Sequence, residues 1–274
     1  MVPNASSHSN PRFSWILSAS GVPSDTARVS DLRANLQERL LAVMDMKHHG
    51  AFVHLTRPGL SREQLLVHFC HEFHSYVRDF PILLARVLGQ GPPDDVRIAL
   101  SENIYEEQTG KLSFGSPHPE LFLVMMEGLG YSRDQIISAA PALEPEALLY
   151  RAFLDRVSAE PPWVIGAAVL TIFVEGSIHE RAEMAGTREL LSEDELIARH
   201  PLVKHYGCPR ENMALVRAHR AVEGDHRQDA WASVLDHVHD AALADRVVSA
   251  VTEARLLWLR YRDGVARAMG VPIE

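Results

Sequence analysis

The sequence has few cysteines and no basic runs, and each of these absences excludes a class of protein. The chain of 274 residues contains only Cys70 and Cys208, so it has no disulfide framework or paired-thiol motif, as expected for a protein of the reducing cytosol. The formal net charge is −9, whereas surfaces that bind nucleic acid cluster Lys and Arg. We therefore expect a cytoplasmic protein that does not bind nucleic acid.

Long apolar segments are also missing. Residues 1–22 lack the charged start and the apolar core of a signal peptide, and we interpret them as a flexible arm. The longest apolar run, WVIGAAVLTIFV at residues 163–174, is well short of the roughly 20 residues that span a bilayer. That length suits a buried helix, and we expect no association with a membrane.

The sequence does have helical periodicity, and its hydrophobic content of 46% is enough for a substantial core. Alternating strands, repeats and low-complexity tracts are absent from it. Residues 23–274 are therefore predicted to form one all-α domain. Pro81 should kink the second helix rather than end it, because apolar spacing resumes after it. The predicted helices span about 25–47, 61–89, 93–108, 117–129, 132–140, 144–158, 161–185, 192–199, 209–227, 229–242 and 244–269.

Three side chains that can bind a metal lie on one of these helices, in the stretch RAHRAVEGDHRQDA. At about 100° per residue, Glu223 lies roughly 40° to one side of His219, and His226 lies roughly 20° to the other. All three therefore project from one face, close to Leu215 and Val222. Burial of such groups is costly without a partner, and a metal ion can satisfy the imidazoles and the carboxylate together. A polar network of core histidines is the alternative.

The helical wheel also separates two adjacent glutamates in PDDVRIALSENIYEEQTG. Glu107 shares a face with Val96 and Leu100, whereas Glu106 falls with Asp95. Glu107 is therefore predicted to face the core and Glu106 to point away from it. The alternative for Glu107 is a helix-end glutamate in water.

A third carboxylate is predicted at the end of the apolar helix that begins at Trp163. That helix is apolar almost all round until Glu175, so the carboxylate needs a partner, either a metal or an arginine. Ala168 and Thr171 on the same face could leave room for a ligand, and His179 follows one turn later.

The candidates number three carboxylates and three imidazoles once His118 is included. His118 lies in the irregular segment GKLSFGSPHPE, and loops that interrupt a bundle often carry function. Mixed carboxylate and imidazole ligation in a helical bundle is typical of sites for two iron or manganese ions, and it suits iron and dioxygen. The full predicted set is Glu107, His118, Glu175, His219, Glu223 and His226.

In these segments the chain resembles the heme-oxygenase-like di-iron oxidases and oxygenases, relatives of the TenA thiaminases and of pyrroloquinoline quinone synthase. The resemblance covers about 49–262 and rests on the order and spacing of NIYEEQTG, SPHPELF, FVEGSIHE and HYGCPRENMALVRAHRAVEGDH. Transferred position by position, it implies the same six ligands. Glu223 departs from the family, which usually has Asp there, and its extra methylene moves the carboxylate outward. Some members add a carboxylate from the early long helix, where Glu72 is the nearest candidate.

The resemblance implies a bundle of about seven core helices that binds two Fe(II) ions per chain and uses O2 as co-substrate. The histidines and Glu223 would fix the irons, while Glu107 and Glu175 would bridge or terminate them as the catalytic ligands. Known chemistries of the family are N-oxygenation of amines and guanidines, and oxidative carbon–carbon cleavage of amino or fatty acids. We expect N-oxygenation of an amine or amino-acid-derived metabolite in specialised metabolism, because the net acidic charge attracts cations. Oxidative cleavage or decarboxylation is the alternative.

Other functions stay open on the sequence alone. A ferritin-like protein would need two E-x-x-H motifs, and this chain has that spacing only from Glu223 to His226. A TenA-like hydrolase would need a reactive cysteine, and nothing around Cys70 or Cys208 indicates a lowered pKa. A non-catalytic helical interaction module would leave all six residues structural. The expected partner is a small-molecule substrate, and both an external electron donor and a homodimer are open.

Overall fold

The computed structural model describes the backbone of residues 25–138, 141–188 and 191–273, and the side chains of these ranges apart from 25–29 and 221–226. Every regular element in the described ranges is a helix, and none of them contains a strand. The predicted all-α class is therefore confirmed, while the number of helices that form the core stays a prediction. The predicted arm at 1–22 lies outside the described residues.

The α-helices of the described ranges follow one another along the chain. They are α1 (Asp25–Met44), α2 (Phe52–Leu55), α3 (Arg62–Glu72), α4 (Phe80–Leu88), α5 (Asp94–Thr109), α6 (His118–Gly128), α7 (Arg133–Ile137), α8 (Pro145–Ala159), α9 (Trp163–Ala167), α10 (Glu180–Met184), α11 (Glu193–Arg199), α12 (Pro201–Tyr206), α13 (Ala214–Leu235) and α14 (Ala241–Met269). Two π-helical segments, Phe73–Val77 and Ala168–Val174, directly continue α3 and α9, and Arg210–Asn212 forms a 3₁₀ turn.

The second predicted helix is divided rather than kinked. The π segment after α3 ends at Val77, and α4 begins at Phe80 with Pro81 in its first turn. Proline has no N–H to donate, and its ring clashes with the carbonyl four residues earlier. The first turn of a new helix accommodates both properties, so the chain starts α4 here instead of continuing α3. The expected kink at Pro81 is therefore wrong.

Two other boundaries also differ from the expectation. The long helix expected over 161–185 ends with its π segment at Val174, and Glu175 is the residue that caps it. Residues 214–235 form the single helix α13, although the sequence indicates a break near residue 228. Packing of this helix against its neighbours overrides the weak local signal.

The core positions the helix ends that build the site. Helix α14 packs against α8, α3 and α1, while α13 packs against α5, α6 and the second π segment. One large apolar cluster includes residues of α1, α4, α8 and α14, and a smaller one includes residues of α3, α6 and α7. No helix in the described ranges is both long and apolar enough to cross a membrane.

Candidate metal centre

A sharp turn after α5 brings His118 back to the helix that it follows. Gly110 caps the end of α5, and its φ of 59° lies in the left-handed region that favours glycine. A Cβ at this position would overlap the backbone of Ser116. Pro117 precedes α6, and Pro119 fits its first turn, where no N–H is needed. The turn therefore fixes the start of α6, and His118 with it, beside the end of α5.

Three of the predicted ligands lie close together in the structure. His118 Nδ1 is 2.8 Å from Glu107 Oε1, and the ring centroids of His118 and His219 are 5.1 Å apart. One potential ligand atom from each of Glu107, His118 and His219 lies within 4.8 Å of the other two. Side chains from α5, α6 and α13 thus converge on a volume the size of one metal ion's coordination sphere.

Glu175 faces the same cavity, which we call the site cavity. It has a volume of about 210 Å³, and Glu107, His118, Glu175 and His219 all line it. Its other lining residues are the charged pair Glu180 and Arg227, together with Tyr76, Val77, Phe80, Thr171, Val174, Gly176 and Leu215. By their accessible surface Glu175 and His219 are exposed residues, and both line this cavity.

Two neighbours hold Glu175 at the end of its π segment. Asn103 of α5 donates its side-chain N–H to Glu175 Oε1 and Oε2, at 3.1 and 3.4 Å. The Lys47 ammonium donates to the carbonyls of Phe173, Val174 and Gly176, at 2.5, 3.2 and 2.6 Å. The last carbonyls of a helix lack partners within it, so Lys47 satisfies them and fixes the backbone on both sides of Glu175.

The protonation states fit a cation in the site cavity. Burial, together with the negative charge of Glu107, raises the pKa of Glu175 to about 8, and a bound cation would relieve that repulsion. Burial and the charge of His118 lower the pKa of His219 to about 4, so its imidazole is neutral at physiological pH, as a metal ligand must be. No described residue hydrogen-bonds the His219 ring, which leaves its nitrogens available for a metal.

A second buried carboxylate orients His118. Glu106 is fully buried, and its Oε1 lies 3.2 Å from His118 Nε2. Burial disfavours the charged ring of His118, but the hydrogen bonds and charges of Glu107 and Glu106 outweigh it and raise the pKa. A histidine held through one nitrogen by a carboxylate, with the other nitrogen facing a metal, is a common arrangement in metalloproteins. Metal binding at Nδ1 would release the extra proton.

The prediction that Glu106 points away from the core is wrong. Because the chain turns back at Gly110, the backbone N–H of Leu112 donates to Glu106 at 2.7 Å, and the Ser113 hydroxyl donates to the same carboxylate. The turn therefore covers a helix face that the wheel of an isolated helix assigns to solvent.

The other predicted positions have mixed outcomes. Glu223 and His226 belong to α13, but their side chains lie outside the described residues. Glu72 does not line the site cavity; it accepts hydrogen bonds from Arg262 Nη2 at 2.7 Å and from the Tyr76 hydroxyl at 3.2 Å. His179 is exposed and does not line the site cavity either.

Sequence reasoning missed three residues of this site: Asn103, Lys47 and Glu106. Asn103 lies on α5 four residues before Glu107, so the helical spacing could have indicated it. Lys47 follows the end of α1, far away in the sequence, and only the tertiary fold brings it to Glu175. A buried ion pair also borders the cavity, where Arg227 lies 2.7 Å from Glu180.

Comparison of the sequence with protein families and solved structures adds independent findings. A sequence profile described as iron-containing redox enzyme matches residues 67–259, more than half of the chain. No curated protein matches the sequence significantly.

Solved structures with the same overall architecture have low sequence identity to this chain. A TenA homolog from Pseudomonas syringae pv. tomato superposes with a TM-score of 0.57 at 14% identity, over 95% of this chain and 100% of that chain. A domain of unknown function with a heme oxygenase-like fold from Shewanella denitrificans superposes with a TM-score of 0.61 at 16% identity, over 88% of this chain and 93% of that one. These likenesses show a heme-oxygenase-like fold.

Proposed function

The chain belongs to the family of iron-containing redox enzymes, and on that premise we propose that it is a non-heme di-iron oxygenase acting on a small metabolite. The observation that carries the proposal is the convergence of Glu107, His118 and His219 within 4.8 Å, in a cavity that Glu175 also lines. A family profile alone supports iron and redox chemistry; these donor atoms support a non-heme site, since imidazole and carboxylate ligands suit iron ions directly.

The second iron of the proposal needs ligands beyond those three. Glu175 supplies one carboxylate. The negative charge of Glu107 helps to raise the pKa of Glu175, and cations bound between the two carboxylates would remove that repulsion. Glu223 and His226 follow His219 on α13 at the spacing that shares one helix face. We assign them to the same centre on that spacing.

The reaction that we propose is N-oxygenation of an amine. In it R–NH2, O2, two protons and two electrons give R–NHOH and water, so one N–O bond forms, the O–O bond breaks, and an external electron donor supplies the electrons. Ferrous ions bound at the site would supply the capacity to bind and reduce dioxygen. The protein's own contribution is to hold the ligands, to leave coordination positions open, and to exclude bulk water with the apolar walls of the site cavity.

The polar lining of the site cavity supports an amine over a fatty acid. Glu107 and Glu175 line this cavity, as do Glu180 and Arg227, which form an ion pair. Carboxyl oxygens can accept hydrogen bonds from an amine N–H, whereas the long chain of a fatty acid calls for a continuous apolar lining. Oxidative cleavage of an amino acid stays the second candidate, because it shares the same metal requirement.

A TenA-like hydrolysis by a cysteine nucleophile has less support. Burial raises the pKa of the Cys70 thiol to about 11, and burial together with Glu211 does the same for Cys208. Neither thiol lines the site cavity. A catalytic cysteine needs a lowered pKa and access to the substrate, and both described cysteines lack these properties.

Iron binding by ligand variants tests the proposal. Purified protein that is loaded with ferrous iron without oxygen should hold about two equivalents, and His219→Ala and Glu175→Ala should each lose iron while keeping their helical content. His179→Ala is the matched control, because His179 follows Glu175 closely but lies outside the site cavity. The loaded protein should consume oxygen faster with one class in a panel of small amines, amino acids and fatty acids.

Two results would overturn the proposal. One is wild-type protein that binds no iron; the other is retention of both equivalents by the His219 and Glu175 variants. If only fatty acids trigger oxygen consumption, the di-iron centre is retained in the proposal, and carbon–carbon cleavage replaces N-oxygenation as the reaction.

A further inference from the structure

A second and larger cavity adjoins the site cavity on the far side of Tyr76. Its volume is about 580 Å³, within the range of roughly 300–1,000 Å³ typical of small-molecule sites. The two cavities share Tyr76, Val174 and Gly176 as wall residues. A molecule that occupies the second cavity would therefore reach the edge of the candidate metal centre.

The walls of this second cavity are aromatic and carry no acidic group. Rings of Phe52, Tyr76, Tyr150 and Trp258 line it, and no Asp or Glu occurs among its described lining residues. We call it the aromatic cavity. Flat rings of this kind favour an aromatic or otherwise planar ligand by stacking, and the lack of carboxylates contrasts with the acidic lining of the site cavity.

Arg262 brings a buried positive charge to the wall of the aromatic cavity. Its side chain is only 6% exposed, and its Nη2 donates to Glu72 at 2.7 Å. Nε and Nη1 have no acceptor among the described residues. The guanidinium carbon lies 4.9, 5.3 and 4.8 Å from the ring centroids of Phe52, Trp258 and Tyr261, so the charge is surrounded by aromatic rings.

Unpaired buried donors are costly, and a carboxylate satisfies such a donor with a charge-assisted hydrogen bond. Nε and Nη1 lie on different edges of the guanidinium, so a carboxylate would accept from one of them. Lys47 also lines this wall, but burial and the charge of Arg262 lower its pKa to about 7, and its three donors are already used by backbone carbonyls. Glu72 pairs with Arg262. What the wall offers an anionic ligand is therefore an unpaired donor of Arg262, with part of the Lys47 charge nearby.

We propose that the aromatic cavity binds the carboxylate of an aromatic organic acid, with Arg262 as its anchor, and directs the opposite end of the molecule past Tyr76 toward the site cavity. The orientation rests on the proposed function, whereas carboxylate binding does not require iron. With the carboxylate anchored at Arg262, oxidation takes place at the far end of the molecule and the carboxyl group is retained in the product. An aromatic amino acid or amino-substituted aromatic acid satisfies both cavities.

Binding of simple aryl acids to the iron-free, full-length protein tests this inference. Benzoate, phenylacetate and 3-phenylpropanoate would be compared by calorimetry with their neutral amides. We expect at least one acid to bind about 10-fold or more tightly than its amide, the factor that a charged hydrogen bond provides. Because Trp258 lines the aromatic cavity beside Arg262, the tryptophan fluorescence should change on binding, and Trp258→Phe should remove that change.

Two charge-matched variants locate the site. Arg262→Met should abolish the preference for the acid, whereas Arg156→Met removes an exposed arginine, half accessible and paired with Glu253, and should leave the preference intact. If Arg262→Met does not fold, the comparison of acid with amide in the wild-type protein decides the question. Equal affinity for acid and amide, or no binding of either, would overturn the inference, as would a folded Arg262→Met protein that keeps the preference.

The two proposals fail separately. Loss of acid selectivity in a protein that still binds two irons removes only the carboxylate site. Selective acid binding by a protein that takes up no iron removes the di-iron oxygenase and keeps the carboxylate site.

Discussion

Substitution of Glu72 by Gln separates its two candidate roles, a metal ligand or the partner of a buried arginine. In the structure Glu72 Oε1 lies 2.7 Å from Arg262 Nη2, and the two side chains are 16% and 6% exposed. Gln keeps the size of the side chain and an oxygen that can accept from Tyr76. What it removes is the negative charge that compensates the buried guanidinium.

The magnitude follows from that loss of charge. Breaking a buried ion pair by removing one partner destabilises a protein by about 3–5 kcal/mol. Since the Gln amide oxygen still accepts one hydrogen bond, we expect the lower end, about 3 kcal/mol, in the free energy of unfolding. Urea denaturation of the iron-free protein, followed by circular dichroism, measures the change.

A matched variant and an iron assay complete the test. Glu253→Gln breaks the ion pair with Arg156, in which Glu253 is 52% and Arg156 is 49% exposed. It should change the free energy of unfolding by no more than about 1 kcal/mol. Glu72→Gln should still bind the wild-type number of irons. A loss of stability no larger than that of the control, or the loss of an iron equivalent, would refute the ion-pair role.

Two further predictions concern the orientation of His118 and the break before α4. Glu106→Gln should weaken ferrous iron binding about 10- to 100-fold, measured by competition with a chelator, because Glu106 orients the His118 ring; unchanged affinity would exclude that role. Hydrogen bonds from Arg78 and Arg151 hold the pKa of Asp79 at about 2, below its ordinary 3.8, so Asp79→Asn should cost about 2 kcal/mol of unfolding free energy at pH 7. A carboxyl whose pKa is lower in the folded state stabilises the fold at pH values above its unfolded pKa. The difference in unfolding free energy between the wild type and Asp79→Asn should therefore shrink as the pH falls from about 4 toward 2, and a difference that stays constant would contradict the prediction.

Helical periodicity indicated which side chains on regular helices face the site cavity, but it did not indicate how helix ends are covered. Glu107 and His219 face the site cavity, as the 3.6-residue period of their helices indicates. The period failed for Glu106 because the turn at Gly110 covers that face of α5 with residues 112 and 113. A wheel describes one helix, and it contains no information about the chain that folds over it.

The surroundings of Glu175 show a second limit of periodicity. An α-helical wheel places Ala168, Thr171, Glu175 and His179 on one face, but only Thr171 and Glu175 line the site cavity. The segment from Ala168 to Val174 is π-helical, and the wider turn shifts every later residue around the axis. The helix then ends, so His179 no longer belongs to the same face.

Both π segments contribute to the site cavity. Tyr76 and Val77 belong to the first, and Thr171 and Val174 to the second. Such segments are frequent at functional sites, but nothing in the local sequence distinguishes them from α-helix. The fold class could therefore be predicted from composition and periodicity, whereas the wall of the cavity depends on irregularities that tertiary packing imposes.

The most direct test of the account is where iron binds. Crystals of the protein, loaded with ferrous iron without oxygen, would be measured with X-rays at the iron absorption edge, where anomalous scattering locates iron alone. We predict two peaks in the site cavity, within coordination distance of Glu107, His118, Glu175 and His219. Iron found elsewhere, or a site cavity without any peak, would contradict the di-iron centre.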